Sequence, residues 1–156
     1  MNSQSVVGGV LQSTPSWRAR CRVLVVDDNI DSAQSMGMLL ELEGLTVELA
    51  YDGEQALRQA AEFKPNAVLL DIGLPGLNGY QVAQRLRERS TQDGGMPILL
   101  VAVSGYGRDN DRQTSRLAGF NFHLTKPADP DEVLRVLDRH CVESMPDCPP
   151  ASARDD

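Results

Sequence analysis

The sequence predicts an α/β fold: one doubly wound, five-stranded parallel sheet with helices on both faces. Three observations predict it. Short apolar runs bounded by turn residues recur near 22–26, 67–70 and 98–103. Unbroken runs of that length read as strands covered on both faces, as in parallel sheets. Segments of helical periodicity stand between them. The runs also end in polar or charged residues, at the edge where open α/β sheets carry their ligands.

A chain of 156 residues is long enough for one domain with a proper core. The net charge of −7 argues against a nucleic-acid surface, which needs a basic patch. No apolar run approaches the roughly 20 residues of a membrane span. The N-terminus lacks a basic stretch followed by an apolar one, so the expected location is cytoplasmic. Cys21, Cys141 and Cys148 make an odd count at no metal-like spacing, and reduced thiols are the expectation.

Residues 1–20, rich in Ser, Gln and Gly, read as a flexible tail. The first strand, 22–26, runs into Asp27-Asp28-Asn29. A helix over 30–43 follows, with Ile30, Ala33, Met36/Gly37 and Leu40 at helical spacing and Gly44 just past its end. Residues 46–50 alternate and read as an edge strand. Asp52 with Gln55 forms a capping box for the second helix, whose buried stripe is Ala56, Leu57, Ala60 and Ala61. Lys64-Pro65-Asn66 breaks the chain. The third strand, 67–70, ends at Asp71 and a Gly/Pro loop. Asn78 with Gln81 resembles a second capping box, opening a helix to about 89 that buries Val82, Ala83 and Leu86. The fourth strand, 98–103, ends at Ser104-Gly105-Tyr106. Residues 108–118 are mostly polar and, as a fourth helix, would be the least stable. The fifth strand, 120–125, ends at Lys126-Pro127. Asp129-Pro130-Asp131-Glu132 starts a fifth helix that buries Val133, Leu134, Val136, Leu137 and Cys141. The domain is therefore expected over 21–141, with 142–156 a flexible tail that has no room for an output domain.

Laid on this map, Asp27, Asp28, Asp71, Ser104 and Lys126 share the carboxyl edge of the sheet. In the order 2-1-3-4-5 the strand order reverses between strands 1 and 3, which brings the three carboxylates together. Each alone reads as a cap, a turn former or a solvated charge. Two carboxylates about 4 Å apart repel by roughly 4 kcal/mol at an effective dielectric near 20. A hard divalent cation offsets this, and Mg²⁺ suits a few carboxylates, waters and a phosphoryl oxygen. Lys126 can hold another such oxygen, and Ser104 can donate a hydrogen bond. Asp71 is left as the nucleophile that forms an acyl phosphate. His123 and His140 lie elsewhere, on strand 5 and helix 5, and no P-loop is present.

These residues resemble the receiver domain of two-component response regulators. The match is carried by Val25-Val26-Asp27-Asp28-Asn29, Leu69-Leu70-Asp71-Ile72 with Leu74-Pro75-Gly76 and Asn78-Gly79, Ser104-Gly105, and Lys126-Pro127. It spans about 21–141 and is closest in style to receivers of hybrid histidine kinases. The resemblance implies a flavodoxin-like fold and a phosphoryl group accepted on Asp71 from a histidine kinase or histidine phosphotransfer protein. It implies Mg²⁺ held by Asp28, Asp71 and the Gly73 carbonyl, with Asp27 acting mainly through water. Ser104 and Lys126 would read the phosphoryl group, and Lys126–Pro127 would be cis. A downstream protein would bind the face of helix 4, strand 5 and helix 5, with dimerisation left open and no nucleic acid or membrane involved. Gly73, where the family usually carries a side chain, and Tyr106 would tune the phosphoryl lifetime. His123 replaces the usual aromatic residue and would turn inward with Ser104 as a switch. The chain would be a signalling protein with only slow self-dephosphorylation, not an enzyme. An unphosphorylated adaptor, a fragment of a hybrid kinase and an aspartyl phosphatase are the alternatives. The last is weakened by the absence of a second acid two residues after Asp71.

Overall fold

The structure is a computed structural model that describes residues 18, 20–74, 79–93, 98–105 and 118–144, with side chains given for all but 90–93 and 142–144. Strands β1 (Arg22–Val26), β2 (Thr46–Ala50), β3 (Ala67–Asp71), β4 (Leu99–Ser104) and β5 (Phe122–Thr125) form one parallel sheet in the order β2-β1-β3-β4-β5. Helices α1 (Ile30–Leu42), α2 (Gly53–Phe63), α3 (Gly79–Asp93) and α4 (Pro130–Ser144) connect or flank them. The helix expected over 108–118, Tyr106 and the Asn78 cap lie outside the described residues, so α4 is the helix expected fifth.

The continuous apolar strands sort their side chains by period two. Leu24, Val26, Val68, Leu70, Leu100 and Ala102 face α2 and α3 in one core. Val23, Val25, Ala67, Leu69, Leu99 and Val101 face α1 and α4 in the other. All five residues of β3 are buried, whereas the edge strands β2 and β5 are buried only in part. A run apolar on both faces is thus confined to the middle of the sheet.

Local chemistry sets the helix starts. The Asn29 side chain accepts the Ser32 N–H and Asp52 accepts the Gln55 N–H. The Gln55 side chain returns to the N–H of Tyr51, one residue before the cap, and not to Asp52 itself as a capping box requires. Asp129 accepts the Asp131 N–H where α4 begins at Pro130. Gly44 has φ 96° just past α1, the left-handed position that glycine adopts freely.

Further expectations are corrected, and Ala61, expected in the buried stripe of α2, is exposed, since that row ends at Ala60. Ile30 is 54% exposed, because the first residue of α1 stands above the carboxyl edge, where no strand remains to cover it. The buried row of α1 is Ala33, Gly37 and Leu40. Phe120 precedes β5: Gly119, at φ 107°, turns the chain, and Phe120 packs edge-on to Tyr80 with ring centroids 6.4 Å apart. α4 continues past 141 to Ser144. Cys21 and Cys141 are not free thiols but a disulfide, because the fold sets the residue before β1 against α4 with the two Cα atoms 6.2 Å apart.

Gly79 fastens α3 to the end of β3. Its N–H donates to the Ile72 carbonyl, and a Cβ there would stand 2.7 Å from both the Asp71 carbonyl oxygen and Ile72 Cα. Backbone cannot yield as a flexible side chain does. Gly79→Ala is expected to lower stability by about 1–3 kcal/mol, measured by urea denaturation; an unchanged midpoint would contradict the close approach.

Candidate functional site

The carboxyl edge collects its polar residues because four strands stop there together. Asp27 and Asp28 follow β1, Asp71 ends β3, Ser104 ends β4 and Lys126 follows β5. β1 and β3 are neighbours in the sheet while β2 lies outside β1, so the reversal of strand order falls between the two acidic strand ends. Backbone bonds keep the ends level. The Ile72 N–H donates to the Val103 carbonyl and the Lys126 N–H to the Ser104 carbonyl.

One carboxylate oxygen from each of Asp27, Asp28 and Asp71 lies within 4.8 Å of the others. Asp27 and Asp71 are buried and Asp28 is exposed. The two buried carboxylates are held alike. The Asn29 N–H donates to Asp27 Oδ1 at 2.9 Å, and the Gly73 N–H to Asp71 Oδ1 at 3.0 Å. Lys126 Nζ takes the second oxygen of each, at 3.2 Å from Asp27 and 3.1 Å from Asp71. Burial pushes the Asp27 carboxyl above its ordinary range, only partly offset by Asn29 and Lys126. Burial also pulls on Lys126, but the hydrogen bond and charge of Asp71, with the charge of Asp27, outweigh it and hold the ammonium above its usual range.

The sequence-named residues occupy distinct places. Gly73 is exposed, and a Cβ there would meet only Asp71 Oδ1, at 3.7 Å. Lys126–Pro127 is cis. Ser104 is buried with its Oγ 2.8 Å from His123 Nε2. The sequence reading turns His123 inward upon phosphorylation; in this structure the ring already reaches Ser104. Sequence reasoning missed that bond, which follows from the pairing of Ala102 with His123 and Ser104 with Thr125 across β4 and β5. It also missed a groove of about 510 Å³ beside the carboxylates, walled by Ser32, Ser35, Met36 and Leu39 of α1 on one side and Ala128 and Pro130 on the other. Its signal was present in Leu39, an apolar residue outside the buried row of α1 that lines the groove and is exposed here.

Fold and edge define a class: a doubly wound domain with a cation-bridged acidic pocket at its switch point. The chain belongs to the response regulator receiver domain family, whose model matches residues 23–138, and receivers of two-component signalling are signalling proteins. It is 30% identical over 116 residues to protein PilH of Pseudomonas aeruginosa, covering 74% of this chain and 93% of that one. It is 40% identical over 106 residues to the transcriptional regulatory protein PrrA of Mycobacterium tuberculosis, covering 68% of this chain but 43% of the relative's length. The fold matches the receiver domain of the Saccharomyces cerevisiae response regulator Ssk1, solved with the histidine phosphotransfer signaling protein Ypd1. That match has a TM-score of 0.76 and 24% identity, over 87% of this chain and 97% of that one.

The raised Asp27 carboxyl has a sign. It binds its proton more tightly folded than unfolded, so its contribution to stability falls as pH rises through the window above the ordinary 3.8. Asp27→Asn is expected to melt higher than wild type in chelator at pH 7 and to flatten that slope. A variant that melts lower across the range would show Lys126 to outweigh the burial.

Proposed function

We propose that this chain is a response regulator that accepts a phosphoryl group on Asp71 from a phosphohistidine donor. The observation that carries the reading is the position of Asp71, a buried strand-end carboxylate with one oxygen held by a loop N–H and the other by Lys126. An Asp71 oxygen attacks phosphorus, the phosphorus–nitrogen bond to the donor imidazole breaks, and the imidazole leaves with a proton. Lys126 follows the transferred charge from carboxylate to phosphoryl oxygen. Ser104 has one hydroxyl proton, so with His123 in the Nδ1–H tautomer, whose Nε2 accepts, it cannot donate to His123 and to the phosphoryl group at once. Its turn toward the phosphoryl group is the step that releases His123 and alters the face of β5 and α4 for a downstream protein.

Asp28, Asp71 and the Gly73 carbonyl, with Asp27 through water, suit Mg²⁺: hard oxygen donors carrying charge that Lys126 alone does not balance. When bound, the ion neutralises charge on the phosphoryl oxygens. The space above Gly73 leaves the phosphoryl group open to water, and with Tyr106 this position would set its lifetime.

The donor is read as a histidine kinase or histidine phosphotransfer protein. Met38, Leu39 and Leu42 expose 42–74% of their surface on α1, and Leu39 lines the groove that leads to Asp71. An apolar helical face of that kind suits a helical donor, and the Ssk1 receiver was solved with such a protein. Among the described residues no helix is long and apolar enough to cross a membrane.

A small phosphodonor with Mg²⁺ should label wild type and leave Asp71→Asn at least 100-fold less labelled. Undiminished labelling would reject the assignment. At ten times its dissociation constant, Mg²⁺ should stabilise wild type by about 1.4 kcal/mol, or roughly 3–6 °C in Tm, and should act on Asp71→Asn much less. No shift at millimolar Mg²⁺ would remove the metal from the reading.

A further inference from the structure

The groove beside Asp71 lies between the N-terminal ends of α1 and α4, and the opposite ends of the same two helices are fastened by the chain ahead of β1. Arg18 reaches both. Its guanidinium grips Asp138 of α4 with two bonds, at 2.6 and 3.0 Å, and takes the carbonyl and carboxylate of Glu43, the C-cap of α1, at 2.9 and 3.1 Å. The Arg18 side chain is 13% exposed. Three residues on, Cys21 is bonded to Cys141 of α4, both sulfur-bearing residues fully buried in the core that α1 and α4 share with the sheet. The Cys21 N–H donates to the Arg18 carbonyl, which makes the ionic and covalent contacts parts of one short turn.

The geometry points to a thiol–disulfide modification site: a redox-dependent clasp in which the Cys21–Cys141 bond, backed by Arg18, holds α4 against α1. The co-reactant is a low-molecular-weight thiol and its disulfide. A small thiolate attacks one protein sulfur, the Cys21–Cys141 bond breaks, and the displaced thiolate takes a proton. A second small thiolate attacks the small-thiol sulfur of the mixed disulfide, that S–S bond breaks, and the second protein thiolate leaves and takes a proton. The products are two protein thiols and one small disulfide, and oxidation runs the same steps in reverse. The attack needs the end of α4 to open first, because neither sulfur faces solvent. The link closes a loop of sequence separation 120, so its loss frees nearly the whole domain's worth of unfolded chain. After reduction the ion pairs of Arg18 still join that end of the α1–α4 pair. The clasp is independent of what Asp71 accepts, yet it governs how firmly the wall of the groove is held.

The test uses the full chain, as wild type and as Cys148→Ser to keep the third thiol out, equilibrated in mixtures of reduced and oxidised glutathione. Trapped thiols and non-reducing peptide mass spectrometry should show a 21–141 link that disappears as the mixture becomes reducing. Reduction should lower Tm by roughly 10 °C and speed amide exchange over 130–141 at least tenfold, with residues 67–71 unchanged. Arg18→Ala should add a larger loss in the reduced protein than in the oxidised one. No 21–141 link at any ratio would overturn the proposal. So would a link whose reduction leaves both Tm and exchange in α4 unchanged.

Discussion

Everything at the working edge of this domain depends on one electrostatic constraint: two buried carboxylates, from Asp27 and Asp71, bridged by a single ammonium. Buried acids that close are costly apart from a cation. Lys126 meets that requirement by touching one oxygen of each, at 3.2 and 3.1 Å. Its position in turn requires β5 to end level with β4, which the bond from its own N–H to the Ser104 carbonyl secures. The remaining oxygens are taken by loop N–H groups two residues on, from Asn29 and Gly73, so the loops after β1 and β3 are shaped by the same two acids. Among the described residues one lysine faces three carboxylates, which leaves the cluster short of positive charge.

The sheet supplies the rigidity this needs. β3 is buried along its whole length and lies between β1 and β4. Asp71 is therefore displaced only if a core strand moves. Gly79 adds a clamp from above, with the start of α3 resting directly on the backbone of Asp71 and Ile72. The edges of the assembly are held differently. β5 is half exposed, and the contact between His123 on that strand and Ser104 ties the edge strand to the end of β4.

α1 serves both parts. Its inner row is small, Ala33 and Gly37 before Leu40, and a Cβ on Gly37 would come within 2.8 Å of Leu49. The helix therefore lies close on the sheet, and its outer apolar residues, Met38, Leu39 and Leu42, are left facing solvent, Leu39 at the groove. One end of the helix carries the Asn29 cap next to Asp27. The other is tied through Glu43 to Arg18.

The sequence by itself determined the strand runs, the parallel order and the meeting of Asp27, Asp28, Asp71 and Lys126 at one edge. These follow from local periodicity and from which residue stands at the end of each run, and both are properties of neighbouring positions. Helix starts at Asn29, Asp52 and Asp129 belong to the same class, since a cap and its N–H lie within three residues. Tertiary structure alone decided the rest. The Ser104–His123 bond depends on the register of β4 and β5, the Cys21–Cys141 bond on an approach between residues 120 apart, and the exposure of Ile30 on where the sheet stops beneath α1. The close fit of Gly79 on Asp71 depends on how steeply α3 leaves the sheet. Each of these features rests on how elements pack against one another, which local composition and spacing do not carry.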